Sequence, residues 1–233
     1  MRSTMAALFT ACALGAAACT VSPAGPEGTG TSSAADVNLP PGIIPVPLVR
    51  QSTDYTCGDV STLAVLRYWK HDAWANVTEM SLYMPLMTRS GYGTDPQPIA
   101  DFLNAQPGIY AQYRTQADGV DLSSLERAID AGEPPIVDFE AWQSPGSVND
   151  PKPWATDYDD GHYSVLVGYD ADNLYFMDPS TIGHYAYVPR AEFLDRWHDT
   201  VGSSSLQHMV IFVHATTAPT PATGIPGTAS RLH

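Results

Sequence analysis

The apolar residues Val60, Leu63, Ala64, Leu66 and Trp69 recur at helical spacing directly after Cys57. That spacing predicts a helix with one apolar face, entered from an extended segment that begins near Gln51. Asn76 and Glu79 are spaced like a capping box, ahead of a second helix to about Met87. Ser90–Thr94 holds two glycines and reads as a loop, and Thr94 or Asp95 caps a helix through Asn104. Residues Ile109–Thr115 alternate as a strand. Residues Asp121–Ala131 read as a helix, with Ser123 and Glu126 as its capping box and Gly132 ending it. The pattern then changes. Pro135–Trp142 reads as a strand, and a polar loop with prolines runs from Gln143 to Gly161. His162–Tyr169 and Leu174–Met177 predict a hairpin turning at 170–173. A strand over Gly183–Val188, a helix from Pro189 through Trp197 and a strand over Met209–Val213 complete the chain. Helices first and antiparallel strands second is an α+β pattern.

The two ends lack this patterning. Residues 1–18 carry one positive charge at Arg2, then an apolar run and small residues, as a secretion signal does. The run is too short for a membrane span. Ala16-Ala17-Ala18-Cys19 resembles a bacterial lipobox, with alanine where leucine is usual. Two exported forms follow: an envelope lipoprotein tethered through a lipidated Cys19, which we prefer, or a soluble secreted protein cut at an Ala-x-Ala site. Residues 19–38 and 216–233 are rich in Ser, Thr, Gly, Pro and Ala, which predicts a linker and a disordered tail around a domain over 39–215.

Composition narrows the function. The net charge of −14 gives no basic patch for nucleic acid. It is compatible with neutral or cationic substrates. Of the 3 cysteines, Cys12 leaves with the signal and Cys19 lies in the linker. Cys57 therefore stands alone in the domain, with no disulfide open to it. An unpaired cysteine in an exported protein points to a reactive thiol.

Cys57 falls at a predicted helix N-terminus, where free N–H groups and the helix dipole favour a thiolate. Gln51 precedes it closely. His162 opens one strand of the hairpin and Asp178 follows the other, so the antiparallel pairing brings both to one sheet edge. A nucleophile, a base and a residue that orients the base are the parts of covalent catalysis. Taken singly, each has a plainer reading: a packed cysteine, a polar loop glutamine, an exposed histidine, a turn aspartate.

The ordered set QSTDYTCG, GHYSVLVGYD and MDPS resembles the C39-type cysteine peptidases and their C39-like relatives, within the papain-like group. The resemblance covers roughly Ile44 to Val213. It implies a papain-like fold, with a nucleophile helix packed on a C-terminal sheet. It implies Cys57 as nucleophile, His162 as base, Asp178 as its orienter and Gln51 as an oxyanion donor. Bacteriocin-exporter members carry a transporter that this sequence lacks, so their leader-peptide substrate is not carried over.

The function expected is an exported cysteine peptidase that cleaves peptide or amide bonds through a thioacyl intermediate on Cys57. An acyltransferase or transamidase with the same Cys-His-Asp site, or a non-catalytic peptide-binding module, are the alternatives. Gly58, Trp142, Gly161 and Tyr163 are candidate substrate-binding residues, with Tyr92 and Trp154 as further cleft aromatics. The other histidines are assigned to surface or core packing. Asp157, Asp159 and Asp160 read as a solvated acidic loop rather than a calcium site. No metal, no cofactor and a monomer are expected.

Overall fold

A computed structural model describes residues 36–144, 151–201 and 204–232. The signal region, Cys19 and most of the predicted linker lie outside these residues, as does part of the 143–161 loop.

The helix predicted after Cys57 is α1, Cys57–Trp74, interrupted by non-helical backbone at Lys70. Its first ten residues are all buried, a wider face than the apolar stripe alone requires. The polar members are satisfied locally or across the core. Thr62 donates to the Gly58 carbonyl and Ser61 to the Tyr163 carbonyl. Short helix α2 (Met80–Tyr83) and helices α3 (Pro96–Asn104), α4 (Leu122–Asp130) and α5 (Arg190–Arg196) follow.

The strands are β1 (Val37–Asn38), β2 (Ile109–Arg114), β3 (Ile136–Glu140), β4 (Gly161–Tyr169) and β5 (Asn173–Met177). They continue as β6 (Tyr185–Pro189), β7 (His198–Val201), β8 (Ser204–Gln207), β9 (Val210–Ala215) and β10 (Thr228–Arg231). Eight of them form one sheet in the order β1-β10-β6-β5-β4-β3-β9-β2, and β7 pairs with β8 separately. Every pairing is antiparallel except β10 with β6. Helix α1 packs on β4, so one apolar cluster joins Leu63, Ala64 and Leu66 to Phe139, Val165 and Phe176.

Besides the unforeseen β7–β8 pair and a second helix that stops at Tyr83 instead of about Met87, the fold departs from the sequence reading at four places. The Asn76–Glu79 box is not made. The Glu79 carboxylate instead accepts from the Ser52 backbone, the Ser52 hydroxyl and the Thr56 hydroxyl. A buried acceptor with three distant donors outcompetes a local cap. Helix α4 is capped by Asp121 and Ser124 rather than by Ser123 and Glu126, and Glu126 pairs with Arg190. The acidic loop is not fully solvated. Asp157 is buried and accepts from the Ser144 N–H at 2.7 Å, with Lys152 Nζ 3.3 Å away.

The fourth departure is the C-terminal segment, expected to be disordered. It is tied down as far as it is described. Thr220 N–H donates to Tyr68 at 2.7 Å and Ala222 N–H to Pro45 at 2.9 Å. Strand β10 then covers the β6 edge, and Ala229 and Leu232 are buried. Strand β1, in the predicted linker, pairs with β10 in turn. A low-hydrophobicity segment fails to fold on its own account, but an open strand edge supplies it with hydrogen bonds.

Buried Arg196 joins this segment to β3. Its guanidinium donates to the carbonyls of Glu140 and Ala141 at 2.6 Å each and of Leu232 at 3.2 Å. The Glu192 carboxylate 2.8 Å away balances its charge.

Candidate active site

Cys57 is the first residue of α1 and 7 % exposed, at the floor of a cleft of about 320 Å³. The segment that delivers it is fixed at both ends. Glu79 gathers Ser52 and Thr56, while the Gln51 N–H donates to the Pro179 carbonyl at 2.9 Å. Asp59, in the first turn of α1, accepts from Thr88 at 2.8 Å and Thr94 at 3.1 Å. That holds the 88–94 loop, whose Tyr92 and Gly93 line the cleft, against the start of the helix.

His162 lies on β4. The β4–β5 register pairs Val165 with Met177, so the next step along the hairpin sets Ser164 opposite Asp178, with His162 two residues further on the same face. His162 Nε2 lies 3.1 Å from Asp178 Oδ2. The His162 ring and Cys57 line the same cleft, and Cys57 is among the groups that raise the histidine's pKa. The Ser164 hydroxyl donates to Asp178 Oδ2 at 2.5 Å, and Ser180 donates its N–H at 2.8 Å and its hydroxyl at 2.5 Å to Oδ1. The Trp142 ring sits 4.8 Å from the imidazole, centroid to centroid, in a tilted arrangement.

The electrostatics follow from this packing. Burial by itself would lower the His162 pKa, but the Asp178 carboxylate, its hydrogen bond and Cys57 together push it up to about 10. Burial would likewise raise Asp178. The imidazolium and the donors His162, Ser164 and Ser180 overcome this and hold it at about 2. His162 and Asp178 thus form a buried ion pair across the neutral range.

The remaining candidates are placed unevenly. Trp142, Gly161 and Tyr163 line the cleft. Gly58 does not; it packs beneath, where an added Cβ would stand 3.1 Å from the Thr94 Cβ. Gln51 is half-buried, and no hydrogen bond engages its amide among the described residues; its Oε1 is buried without a partner. Among the described histidines only His162 lines the cleft.

Sequence reasoning passed over several residues. Ser164 sits two residues after His162 and Ser180 two after Asp178, spacings that put each beside the aspartate. Asp138 and Glu140 alternate in β3, and both are buried. Acids at alternate positions of an apolar strand were a readable signal. Asp199 had none, because β7 itself was not foreseen.

A cysteine at the N-terminus of a central helix, facing a histidine on an antiparallel sheet, defines the papain-like α+β class. The chain belongs to the Peptidase_C39 like family, whose profile matches residues 43–205. Its structure is similar to that of a protein described as a C39-like peptidase from Bacillus anthracis. The TM-score is 0.54 at 21% identity, covering 75% of this chain and 98% of that one. It is also similar to the peptidase domain of Streptococcus ComA, a bifunctional ABC transporter of a quorum-sensing pathway. There the TM-score is 0.51 at 18% identity, covering 73% and 99%. At these identities the likeness is one of fold. No curated protein matches the chain.

Proposed function

We propose that this C39-like family member is a cysteine peptidase that cleaves peptide bonds through a thioester on Cys57. The observation that carries the reading is the buried His162–Asp178 pair, 3.1 Å apart, whose imidazole lines the same cleft as Cys57. A cation beside a sulfur favours the thiolate, the nucleophilic form.

The thiolate attacks the substrate carbonyl carbon. The oxyanion that develops is held by the Cys57 backbone N–H, free because it opens a helix, and by the Gln51 amide, which makes no hydrogen bond among the described residues. His162 gives its proton to the leaving amine as the C–N bond breaks. It then takes a proton from the water that attacks the thioester, and the acid product leaves with Cys57 restored. Asp178 keeps the imidazole in one tautomer and orientation throughout.

Export completes the proposal: residues 1–18 act as a signal, and Cys19 carries a lipid that tethers the domain to the envelope. Incubating the domain with a mixed peptide library and reading the products by mass spectrometry tests the activity, with Cys57→Ala as control. New termini absent from the control are expected. Identical product sets would overturn the reading. Mass analysis of the mature N-terminus tests the lipid.

A further inference from the structure

The cleft carries a charge pattern that bond cleavage does not use. Asp54, Asp138, Asp159, Asp160 and Asp199 all line it, and among the described residues no lysine or arginine does. Asp159 is partnered, with Lys152 Nζ 2.9 Å away. Asp138 is not. It is 1 % exposed, and neither carboxyl oxygen accepts from an N–H or hydroxyl donor among the described residues. The β3–β4 register sets it beside Tyr163, the neighbour of His162. Two further acids converge on it. Asp199 presses its carboxyl against Gly161, where no Cβ would fit, and lies within hydrogen-bonding reach of Asp138 and Glu140. Glu140 is buried with its Oε1 unpartnered.

Buried polar groups are ordinarily satisfied, and buried acids are ordinarily paired. Three converging acids bring only acceptors once ionised, so what they lack is a donor with positive charge. Burial, with Asp199 and Cys57 close by, raises the Asp138 pKa well above its ordinary value, so this acid keeps its proton until a positive charge displaces it. Tyr55, Tyr92, Trp142 and Tyr158 surround the same space, and aromatic faces also attract cations.

We propose that Asp138 and Asp199 form a subsite for a basic side chain of the substrate, a lysine ammonium or an arginine guanidinium, next to the scissile bond. The inference rests on the reading of Cys57 as the cleft nucleophile and names the substrate class of that site.

Three methanethiosulfonate reagents test it without a known substrate: the cationic 2-aminoethyl, the neutral methyl and the anionic 2-sulfonatoethyl. Each is reacted with Cys57, and the cationic and anionic rates are divided by the neutral rate of the same protein. The cationic ratio is expected to exceed that of free cysteine by roughly tenfold or more, with the anionic ratio below one. Asp138→Asn and Asp199→Asn should each lower the cationic ratio several-fold. Asp72→Asn, which removes a fully exposed charge, should leave it unchanged. Asparagine is close in shape to a protonated aspartate, so the packing is kept. Equal ratios in the wild type and both cleft variants, or an equal change in Asp72→Asn, would overturn the subsite while leaving a reactive thiol. A sulfur inert to all three reagents would overturn the subsite and the nucleophile together.

Discussion

Ser61 donates its hydroxyl to the carbonyl oxygen of Tyr163 at 3.1 Å, inside the core. Ser61 lies one turn beyond Cys57 on α1, and Tyr163 directly follows His162 on β4. The bond therefore sets the distance between nucleophile and base, which belong to segments far apart in the chain. Ser61→Ala leaves a buried carbonyl without its donor and is expected to cost about 1–3 kcal/mol of stability by denaturant titration. It should also lower kcat/KM by roughly tenfold, since small displacements of reacting groups are costly. A stability loss with unchanged kcat/KM would assign the bond to packing alone.

The His162–Asp178 pair fixes the pH behaviour. The His162 pKa of about 10 lies above its ordinary 6.5, so the stability it contributes is whole below about 6.5 and is lost as pH rises through about 10. The Asp178 pKa of about 2 lies below its ordinary 3.8, so its contribution is whole above about 3.8 and is lost as pH falls through about 2. The alkaline limb of kcat/KM should accordingly fall near pH 10. In Asp178→Asn the limb should move down, so that activity at pH 9 drops roughly tenfold more than at pH 6. A pH profile of both proteins checks this, and an unmoved limb would dissociate Asp178 from the histidine.

Gln51 has an amide that makes no hydrogen bond among the described residues, on a backbone pinned to Pro179. As an oxyanion donor its loss in Gln51→Ala should lower kcat by roughly 10²–10³-fold, with KM little changed. Steady-state kinetics on any good peptide substrate measures this. Full turnover in the variant would remove Gln51 from the mechanism.

The C-terminal strand yields a stability prediction. Removing residues 224–233 exposes the β6 edge, takes the buried Ala229 and Leu232 out of the core and takes one carbonyl from Arg196. Thermal melting should drop by several degrees or more, since about 1 kcal/mol already shifts a domain of this size by roughly 2–4 °C. An unchanged melting temperature would return the segment to the role of a free tail.

The parts of this molecule that were legible in its sequence are those written in local pattern. The period after Cys57 announced α1, two apolar runs about a polar turn at 170–173 announced the β4–β5 hairpin, and antiparallel geometry then brought His162 to Asp178. What stayed hidden depends on distant partners. Glu79 looked like a helix cap because its spacing from Asn76 fits one, yet its donors come from Ser52 and Thr56. Residues 228–231 looked structureless because little in them is apolar, yet β6 offers them an edge. Asp199 became part of the cleft only through the β7–β8 ribbon, which packs its carboxyl against Gly161.

The central claim is that His162 activates the Cys57 sulfur, and alkylation by iodoacetamide tests it without reference to any substrate. The rate at pH 6 is measured for the wild type and for His162→Ala, with circular dichroism to show that both are folded. The account predicts rapid alkylation of the wild type and a rate lower by roughly tenfold or more in the variant. Equal rates in two folded proteins would contradict it, for the sulfur would then be indifferent to the histidine that faces it.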